Sequence, residues 1–213
     1  HDAEQKSAAA SLEKQLKSLS CKSDYQVMSG EDYAKQDRMR YAYGMTKASG
    51  LPERHLKKAG KALTGDKWRG TLDRLVKLAG TGFLAALVGQ RGRGKTQLSA
   101  QLIKKVAVAG WTEHMNLGSQ IPCMYRRAIE FFIDVRGTFG SDTRSEKSVL
   151  AEYTTPGLLV LDELQERGES EWEDRLLTYL IDKRYGAVKD TLLITNQSAA
   201  AFTDQVGTSI ADR

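Results

Sequence analysis

Short apolar runs alternate with stretches of helical periodicity over most of the chain. The apolar runs lie at 83–88, 158–161 and 192–194, and each is followed directly by glycine or polar residues. Runs without a polar face predict strands that are covered on both sides, as the strands of parallel sheets are. A short strand is also predicted at 122–127, and helices at 71–79, 94–109, 128–135 and 199–206 and from 170 onward. The alternation indicates an α/β fold with a parallel central sheet flanked by helices.

The first 50 residues fall outside this alternation and predict a helical or irregular N-terminal extension. Leucines recur at helical spacing within residues 3–20, which predicts a helix with a narrow apolar stripe that packs on a partner or on its own domain. Residues 20–50 are polar with scattered tyrosines, which either stack on nucleic-acid bases or form the half-buried surface layer that is more usual for tyrosine. We therefore expect two parts, an extension at 1–50 and a main domain at 51–213.

The segment Gly89–Thr96 has the spacing of a phosphate-binding loop between a predicted strand and a predicted helix. Glycine at its first and sixth positions lets the backbone turn so that its N–H groups converge on phosphate oxygens. Lys95 is then expected to reach the β- and γ-phosphates of ATP, and the hydroxyl of Thr96 to bind Mg²⁺. The alternative is a glycine-rich turn between two core elements. The predicted ATP-binding residues are Gly89, Gln90, Arg91, Gly92, Arg93, Gly94, Lys95, Thr96 and Gln97.

Polar side chains also follow the two later apolar runs. Asp162 and Glu163 come directly after 158–161, and Asn196 follows 192–194. Because ligands of open parallel sheets bind at the carboxyl ends of the strands, we expect these groups beside the phosphate loop. Asp162 would hold Mg²⁺, Glu163 would polarise the attacking water, and Asn196 would hydrogen-bond the γ-phosphate or that water. The alternatives are a solvated acid at a strand end and a turn-forming asparagine.

The charge of the chain is distributed unevenly. The net charge is +5; residues 1–80 hold 16 Lys and Arg against 10 Asp and Glu, whereas residues 81–213 hold 16 against 17. A basic N-terminal segment predicts contact with nucleic acid or with an acidic partner, and solvated lysines are the alternative.

Other classes of protein are disfavoured by the composition. Cys21 and Cys123 are far apart and indicate neither a disulfide framework nor a zinc site. No apolar run approaches the length needed to cross a bilayer, and no secretory signal is visible, so we expect a cytoplasmic protein without a membrane partner. His1 in place of Met, and an end at Arg213 within a helical pattern, suggest a fragment of a longer chain.

Together these motifs resemble the AAA+ ATPases, and within them the DnaC-like and IstB-like group of bacterial and phage helicase loaders and transposition ATPases. The resemblance implies an AAA+ P-loop fold, bound ATP and Mg²⁺, and ATP hydrolysis completed by a neighbouring subunit. Arg213 resembles the family's arginine finger, which reaches the ATP of a neighbour, and Arg184 is the competing candidate. Arg91 and Arg93 depart from the family, whose loops mostly have small or apolar residues there. The resemblance covers residues 51–213 and is carried by Gly89–Thr96, Leu158–Glu163, Asp182–Tyr185, Ile194–Asn196 and Ile210–Arg213.

The leading hypothesis from this resemblance is a homo-oligomer, in a ring or spiral, that assembles with single-stranded DNA and loads a replicative helicase. One alternative is an IstB-like transposition regulator that assembles on duplex DNA and directs a transposase. Two others are a nucleotide-dependent adaptor with little affinity for DNA and, less favoured, a metabolic kinase. The glycine- and charge-rich segment 137–147 predicts an exposed loop, with Arg136 and Arg144 as candidates to face nucleic acid or ordinary solvent.

Overall fold

A four-stranded parallel sheet forms the core of the described part of residues 37–213. The computed structural model of the chain describes residues 29–58, 65–110, 123–140, 142–168 and 170–206. The strands are β1 (Leu84–Leu87), β2 (Cys123–Arg127), β3 (Leu158–Asp162) and β4 (Asp190–Ile194), in the spatial order β1-β4-β3-β2. Each neighbouring pair of strands runs parallel. The predicted α/β class with a parallel central sheet is confirmed.

Helices connect the strands along the described chain. They are α1 (Gly30–Ala48), α2 (Glu53–Leu56), α3 (Asp66–Leu78), α4 (Lys95–Ala109), α5 (Ala128–Arg136), α6 (Glu146–Thr154), α7 (Glu171–Gly186) and α8 (Ala199–Val206), and a 3₁₀ turn covers Leu164–Glu166. None of the helices in the described ranges is long and apolar enough to cross a membrane.

The packing of the chain divides it into two compact units, residues 1–36 and 37–213. The described part of the first unit is residues 29–36, where the hydroxyl of Ser29 accepts a hydrogen bond from the backbone N–H of Asp32 at 3.1 Å. The second unit holds the sheet. The predicted boundary at residue 50 stays a prediction.

Hydrophobic layers cover both faces of the sheet. Successive residues of a strand point to opposite faces, and β3 shows this alternation directly. Leu159 and Leu161 pack with apolar residues of α5, α6 and α7. Leu158 and Val160 pack on the other face with residues of α3 and α4. Burial on both faces explains why the strand sequence is continuously apolar, and it leaves the strand ends as the only parts of β3 that can carry polar chemistry.

Helices α1 and α6 are among the elements that the sequence did not assign individually. Residues 30–48 form α1 although their apolar positions show little helical periodicity, and only Ala42 and Thr46 of this helix are buried. Helix α6 begins at Glu146, so the loop predicted at 137–147 ends at residue 145, two residues earlier than predicted. Ser145 caps α6, because its hydroxyl accepts a hydrogen bond from the backbone N–H of Ser148 at 3.2 Å.

Arg136 and Arg144 are engaged with carboxylates of their own chain. Arg136 donates to Glu173 at 2.8 Å and lies over the ring of Trp172 at 5.1 Å. Arg144 donates to Glu152 at 2.8 Å. The structure therefore offers a local explanation for both charges, which weakens the expectation that they face nucleic acid.

Arg184 has a structural role, and its burial excludes the intersubunit role for which it was the competing candidate. It lies at the end of α7 and is completely buried. Its guanidinium donates to the hydroxyl of Thr191 at 2.9 Å and to the carbonyl oxygens of Tyr153 at 2.9 Å and Pro156 at 3.0 Å. Burial lowers the pKa of this guanidinium to about 10, so the group stays charged at neutral pH. It ties α6, α7 and β4 together and cannot reach a neighbouring molecule.

Replacing Arg184 with methionine should destabilise the domain by about 3 kcal/mol or more, because several buried acceptors lose their donor at once. Urea unfolding would measure this loss, provided that the free energy of unfolding falls with urea concentration at the same slope in both proteins. Lys183→Met is the matched control, since Lys183 is exposed on the same turn of α7. Equal unfolding midpoints for the two variants would contradict the structural role.

The entry to β1 is held by a buried carboxylate at the start of β4. Asp190 accepts hydrogen bonds from the backbone N–H groups of Gly80 at 2.6 Å and Gly82 at 2.8 Å. Gly82 has a φ of 78°, which glycine adopts without strain. This contact fixes where β1 begins and therefore where the loop after β1 emerges.

Candidate functional site

The loop between β1 and α4 has the backbone of a phosphate cradle. Gly89, Gly92 and Gly94 have φ angles of 123°, 82° and 87°, in the region that favours glycine. A Cβ added at any of the three would have no atom within 4 Å, so the space above the loop is open. Gly94 is the N-cap of α4, and the unpaired N–H groups of the first helical turn face the same space. The loop can therefore surround an anion.

Lys95 places its amino group within this cradle. Its Nζ donates to the carbonyl oxygens of Gly89 and Gln90, the latter at 2.9 Å, and to Oδ1 of Asn196 at 3.0 Å. Burial lowers the pKa of Lys95, whereas the carboxylate of Asp162 acts in the opposite direction. The contact with Asn196 brings the end of β4 to the loop that follows β1, as expected for neighbouring parallel strands.

Asp162, the last residue of β3, is buried and receives three hydrogen bonds. Its Oδ2 accepts from the hydroxyl of Thr96 at 2.7 Å and from the hydroxyl of Tyr125 at 2.7 Å. Its Oδ1 accepts from the backbone N–H of Glu163 at 2.7 Å. The carboxylate and the Thr96 hydroxyl together form a pair of hard oxygen groups of the kind that Mg²⁺ prefers.

Glu163 follows in a left-handed conformation, with a φ of 54°. This conformation is uncommon for a residue with a side chain and costs about 1–3 kcal/mol. The side chain is half-buried, and burial, together with the carboxylates of Glu166 and Asp162, raises the pKa of Glu163. A carboxylate with a raised pKa accepts a proton more readily than an ordinary glutamate does.

The backbone of Asn196 is held by a glutamine from the neighbouring strand end. Oε1 of Gln165 accepts from the backbone N–H of Asn196 at 3.0 Å and from the hydroxyl of Thr195 at 3.1 Å. Gln165 lies in the 3₁₀ turn directly after Glu163. The segments that carry Glu163 and Asn196 are therefore connected by hydrogen bonds.

These groups line a cleft of about 360 Å³ at the carboxyl edge of the sheet. Basic side chains from α2, the following turn and the phosphate loop surround two carboxylates, a balance that suits a polyanion accompanied by a cation. The lining residues are Arg54, His55, Lys58, Arg91, Gly92, Gly94, Lys95, Thr96, Gln97, Asp162, Glu163 and Asn196.

The comparisons with known proteins agree with this arrangement. No protein-family model matches the chain. Replicative helicase loader DnaC of Escherichia coli (strain K12) and of Shigella flexneri is 23% identical over 125 residues, which is 59% of this chain and 47% of the relative. The chain thus spans about half the length of the curated relatives it matches.

Two solved structures are similar in fold over about three quarters of the chain. The crystal structure of the DnaC helicase loader has a TM-score of 0.54 at 20% identity, and covers 76% of this chain and 93% of its own. The AMPPCP-bound DnaA from Aquifex aeolicus has a TM-score of 0.56 at 18% identity, and covers 77% of this chain and 48% of its own. The chain therefore has a DnaC-like AAA+ fold.

This AAA+ fold brings most of the predicted site residues into one cleft. Residues that are far apart in sequence converge there from the carboxyl ends of three strands. They are Lys95, Thr96, Asp162, Glu163 and Asn196. Gly92, Gly94 and Arg91 line the same space, while Gly89 and Gln90 contribute carbonyls to Lys95.

Of the remaining predicted loop residues, Arg93 lies outside the cleft and Gln97 lines it. Arg93 contacts Gln90 at 3.3 Å and lines a separate groove with Lys67 and Trp68. Gln97 lines the cleft, with its Oε1 at 3.3 Å from Nδ1 of His55. Arg213 lies outside the described residues, as do 111–121 and the predicted helix at 3–20.

The cleft also contains residues that were not predicted from the sequence. Tyr125 contacts Asp162, Gln165 holds the backbone of Asn196, and Arg54, His55 and Lys58 line the rim. The basic run around His55 was visible as a charge excess, but nothing in its spacing indicated the cleft. Tyr125 and Gln165 carried no sequence signal, because their roles depend on how β2, β3 and β4 are aligned.

Proposed function

We propose that the chain binds ATP with Mg²⁺ and hydrolyses it. The observation that carries the proposal is the convergence of a glycine cradle, a lysine, two carboxylates and an asparagine at one edge of a parallel sheet. Phosphoryl transfer depends mainly on positioning and charge neutralisation, and these groups supply both. The solved DnaA with AMPPCP, a non-hydrolysable analogue of ATP, gives nucleotide binding as a precedent for this fold.

Each side chain of the cleft has a separate role in the proposed hydrolysis of ATP. Lys95 and the N–H groups of the loop bind the phosphates and neutralise their charge. Glu163 orients the attacking water and withdraws its proton, a role that the raised pKa of its carboxyl supports. Asn196 holds the γ-phosphate or that water from the neighbouring strand end, and Gln165 holds the backbone of the asparagine.

The oxygen groups beside the cradle fit Mg²⁺. Thr96 and Asp162 are 2.7 Å apart, and Mg²⁺ in nucleotide sites is commonly held by one or two such groups together with substrate phosphates. Thr96 and Asp162 would hold the ion, which would supply positive charge that offsets the negative charge of the phosphates.

At the level of the cell, the proposal is a helicase loader that assembles with itself and with single-stranded DNA. It is supported by the similarity to Replicative helicase loader DnaC, which covers 59% of the chain, and by the basic excess in residues 1–80. In this proposal Arg213 acts on the ATP of a neighbouring subunit, so that hydrolysis depends on assembly. The cytoplasm is the expected location.

The ATPase rate per molecule should increase with protein concentration and with single-stranded DNA. Arg213→Ala should reduce the rate to that of the unassembled chain, because the cation that completes a neighbour's site is lost. A phosphate-release assay over a range of concentrations measures both effects. Arg175→Ala is the control, since this arginine is exposed and pairs with Glu171 on the surface of α7.

Each outcome of this assay distinguishes a different function. A rate independent of concentration, DNA and Arg213 would contradict the assembled ATPase. Tighter binding to duplex than to single-stranded DNA would favour a transposition regulator. Absence of salt-dependent DNA binding would favour a protein-binding adaptor, because phosphate contacts make binding strongly sensitive to salt.

A further inference from the structure

Tyr125 contacts the carboxylate that the proposed function assigns to Mg²⁺. Its hydroxyl donates to Oδ2 of Asp162 at 2.7 Å, and this oxygen also accepts from Thr96. Tyr125 is 4% exposed, so the hydroxyl has little access to competing water. The contact joins the middle of β2 to the end of β3.

The alignment of the strands places this hydroxyl. Tyr125 lies opposite Val160, and Arg127 lies opposite Asp162. Because side chains alternate between the faces of a sheet, Tyr125 and Asp162 lie on the same face, two positions apart along the strands. The backbone N–H of Tyr125 donates to the carbonyl of Ser49 at 2.7 Å, and its ring packs in the core layer that contains α3 and α4. The tyrosine therefore has little freedom to move.

The hydrogen bonds orient the Asp162 carboxylate. An ionised carboxylate can accept about four hydrogen bonds. Asp162 accepts three, from the hydroxyls of Thr96 and Tyr125 and from the backbone N–H of Glu163. Thr96 belongs to the phosphate loop and is itself an expected metal ligand, so its bond to Asp162 can change when the loop binds a nucleotide. The bond from Tyr125 comes from the sheet and is independent of the loop.

We propose that Tyr125 is a positioning residue that holds the carboxylate of Asp162 in the orientation required to bind Mg²⁺ with ATP. The proposal rests on the proposed function, because it assumes the Mg²⁺–ATP site. Mg²⁺ requires near-ideal octahedral geometry, so a carboxylate that rotates freely binds it less well. Partners that orient metal ligands typically change metal affinity by about 10–100-fold when they are removed.

The test is Tyr125→Phe, which removes one hydroxyl and keeps the buried ring. Binding of a fluorescent ATP analogue is measured in EDTA and then as a function of Mg²⁺ concentration. We expect the half-saturating Mg²⁺ concentration to increase about tenfold or more, with unchanged affinity in EDTA. A general loss of structure would lower both affinities, so the ratio separates positioning from folding.

Tyr153→Phe provides a matched control. Tyr153 is 1% exposed, and its hydroxyl donates to a carboxylate, Asp134, at the same distance of 2.7 Å. It lies on α6 and does not line the cleft, so its variant should keep the Mg²⁺ dependence of the wild type. The same increase in both variants would overturn the proposal, because it would reflect loss of any buried hydroxyl.

The remaining outcomes separate this proposal from the proposed function. If ATP binding by the wild type does not depend on Mg²⁺, both fail. If wild-type binding depends on Mg²⁺ and the Tyr125→Phe variant has the same half-saturating concentration, only the positioning role fails. Equal losses of affinity with and without Mg²⁺ would also overturn it, because the tyrosine would then support the cleft as a whole.

Discussion

The Lys95→Ala variant is expected to bind ATP about 100-fold more weakly than the wild type, or weaker still. A hydrogen bond to a charged group contributes about 1.5–3 kcal/mol, and about 1.4 kcal/mol corresponds to a tenfold change in affinity. Loss of contacts to two phosphates therefore accounts for this expected decrease. The Nζ atom is already held inside the loop by the carbonyl oxygens of Gly89 and Gln90, so little ordering of the side chain opposes binding. Isothermal titration calorimetry would measure the change.

The control for this variant is Lys105→Ala, on the same helix. Lys105 is exposed and ten residues further along α4, so its removal changes the net charge equally without touching the cleft. We expect its dissociation constant to equal that of the wild type. Similar weakening in both variants would show that binding depends on overall charge, and an unchanged dissociation constant for Lys95→Ala would contradict the assignment of Lys95.

The parts of the site that could be predicted from the sequence are those whose chemistry is local. Gly89–Thr96 is one continuous segment, and its glycine positions correspond directly to the backbone angles that the loop adopts. Asp162 and Asn196 each follow a continuously apolar run, and parallel strands bring their carboxyl ends to one edge. Position after a buried strand was therefore enough to expect them beside the loop.

The rest of the site depends on alignments that the sequence does not contain. Tyr125 lies in the middle of β2, and only the pairing of β2 with β3 brings its hydroxyl to Asp162. Gln165 reaches Asn196 because the backbone of Glu163 is in the left-handed region. Neither the glutamate itself nor its sequence neighbours predict this conformation. These contacts are long-range, so they follow from the assembled sheet and not from local pattern.

The same reasoning explains the fold elements that the sequence missed. Helix α1 buries only Ala42 and Thr46, so the apolar periodicity used to predict helices is nearly absent from it. Arg184 was the competing candidate for the intersubunit arginine, although its place at a helix end before a strand fits a structural contact equally well. Its burial depends on the carbonyl oxygens of Tyr153 in α6, of Pro156 after α6 and of Asp190 in β4, which become available only in the folded state.

The Glu163→Gln variant is expected to retain ATP binding and to lose turnover by about 10³-fold, within the range of about 10²–10⁴ that a general base contributes. Glutamine has the same length and keeps the hydrogen-bonding position, but it cannot accept a proton from water. Equilibrium binding and phosphate release, measured on the same sample, separate the two effects. Normal turnover by this variant would show that the catalytic base lies elsewhere.

Glu166→Gln is the control for that variant and carries a prediction about pH. Its carboxylate is one of the charges that raise the pKa of Glu163, after burial itself, and Glu166 does not line the cleft. Because the base must be ionised to act, the wild-type rate should fall as pH decreases through the raised pKa of Glu163. Removing the negative charge of Glu166 lowers that pKa, so the variant should retain turnover and lose its rate only at a lower pH. A pH–rate profile of ATP hydrolysis measures the difference, and identical acid limbs in the two proteins would mean that Glu163 is not the group whose ionisation limits the rate.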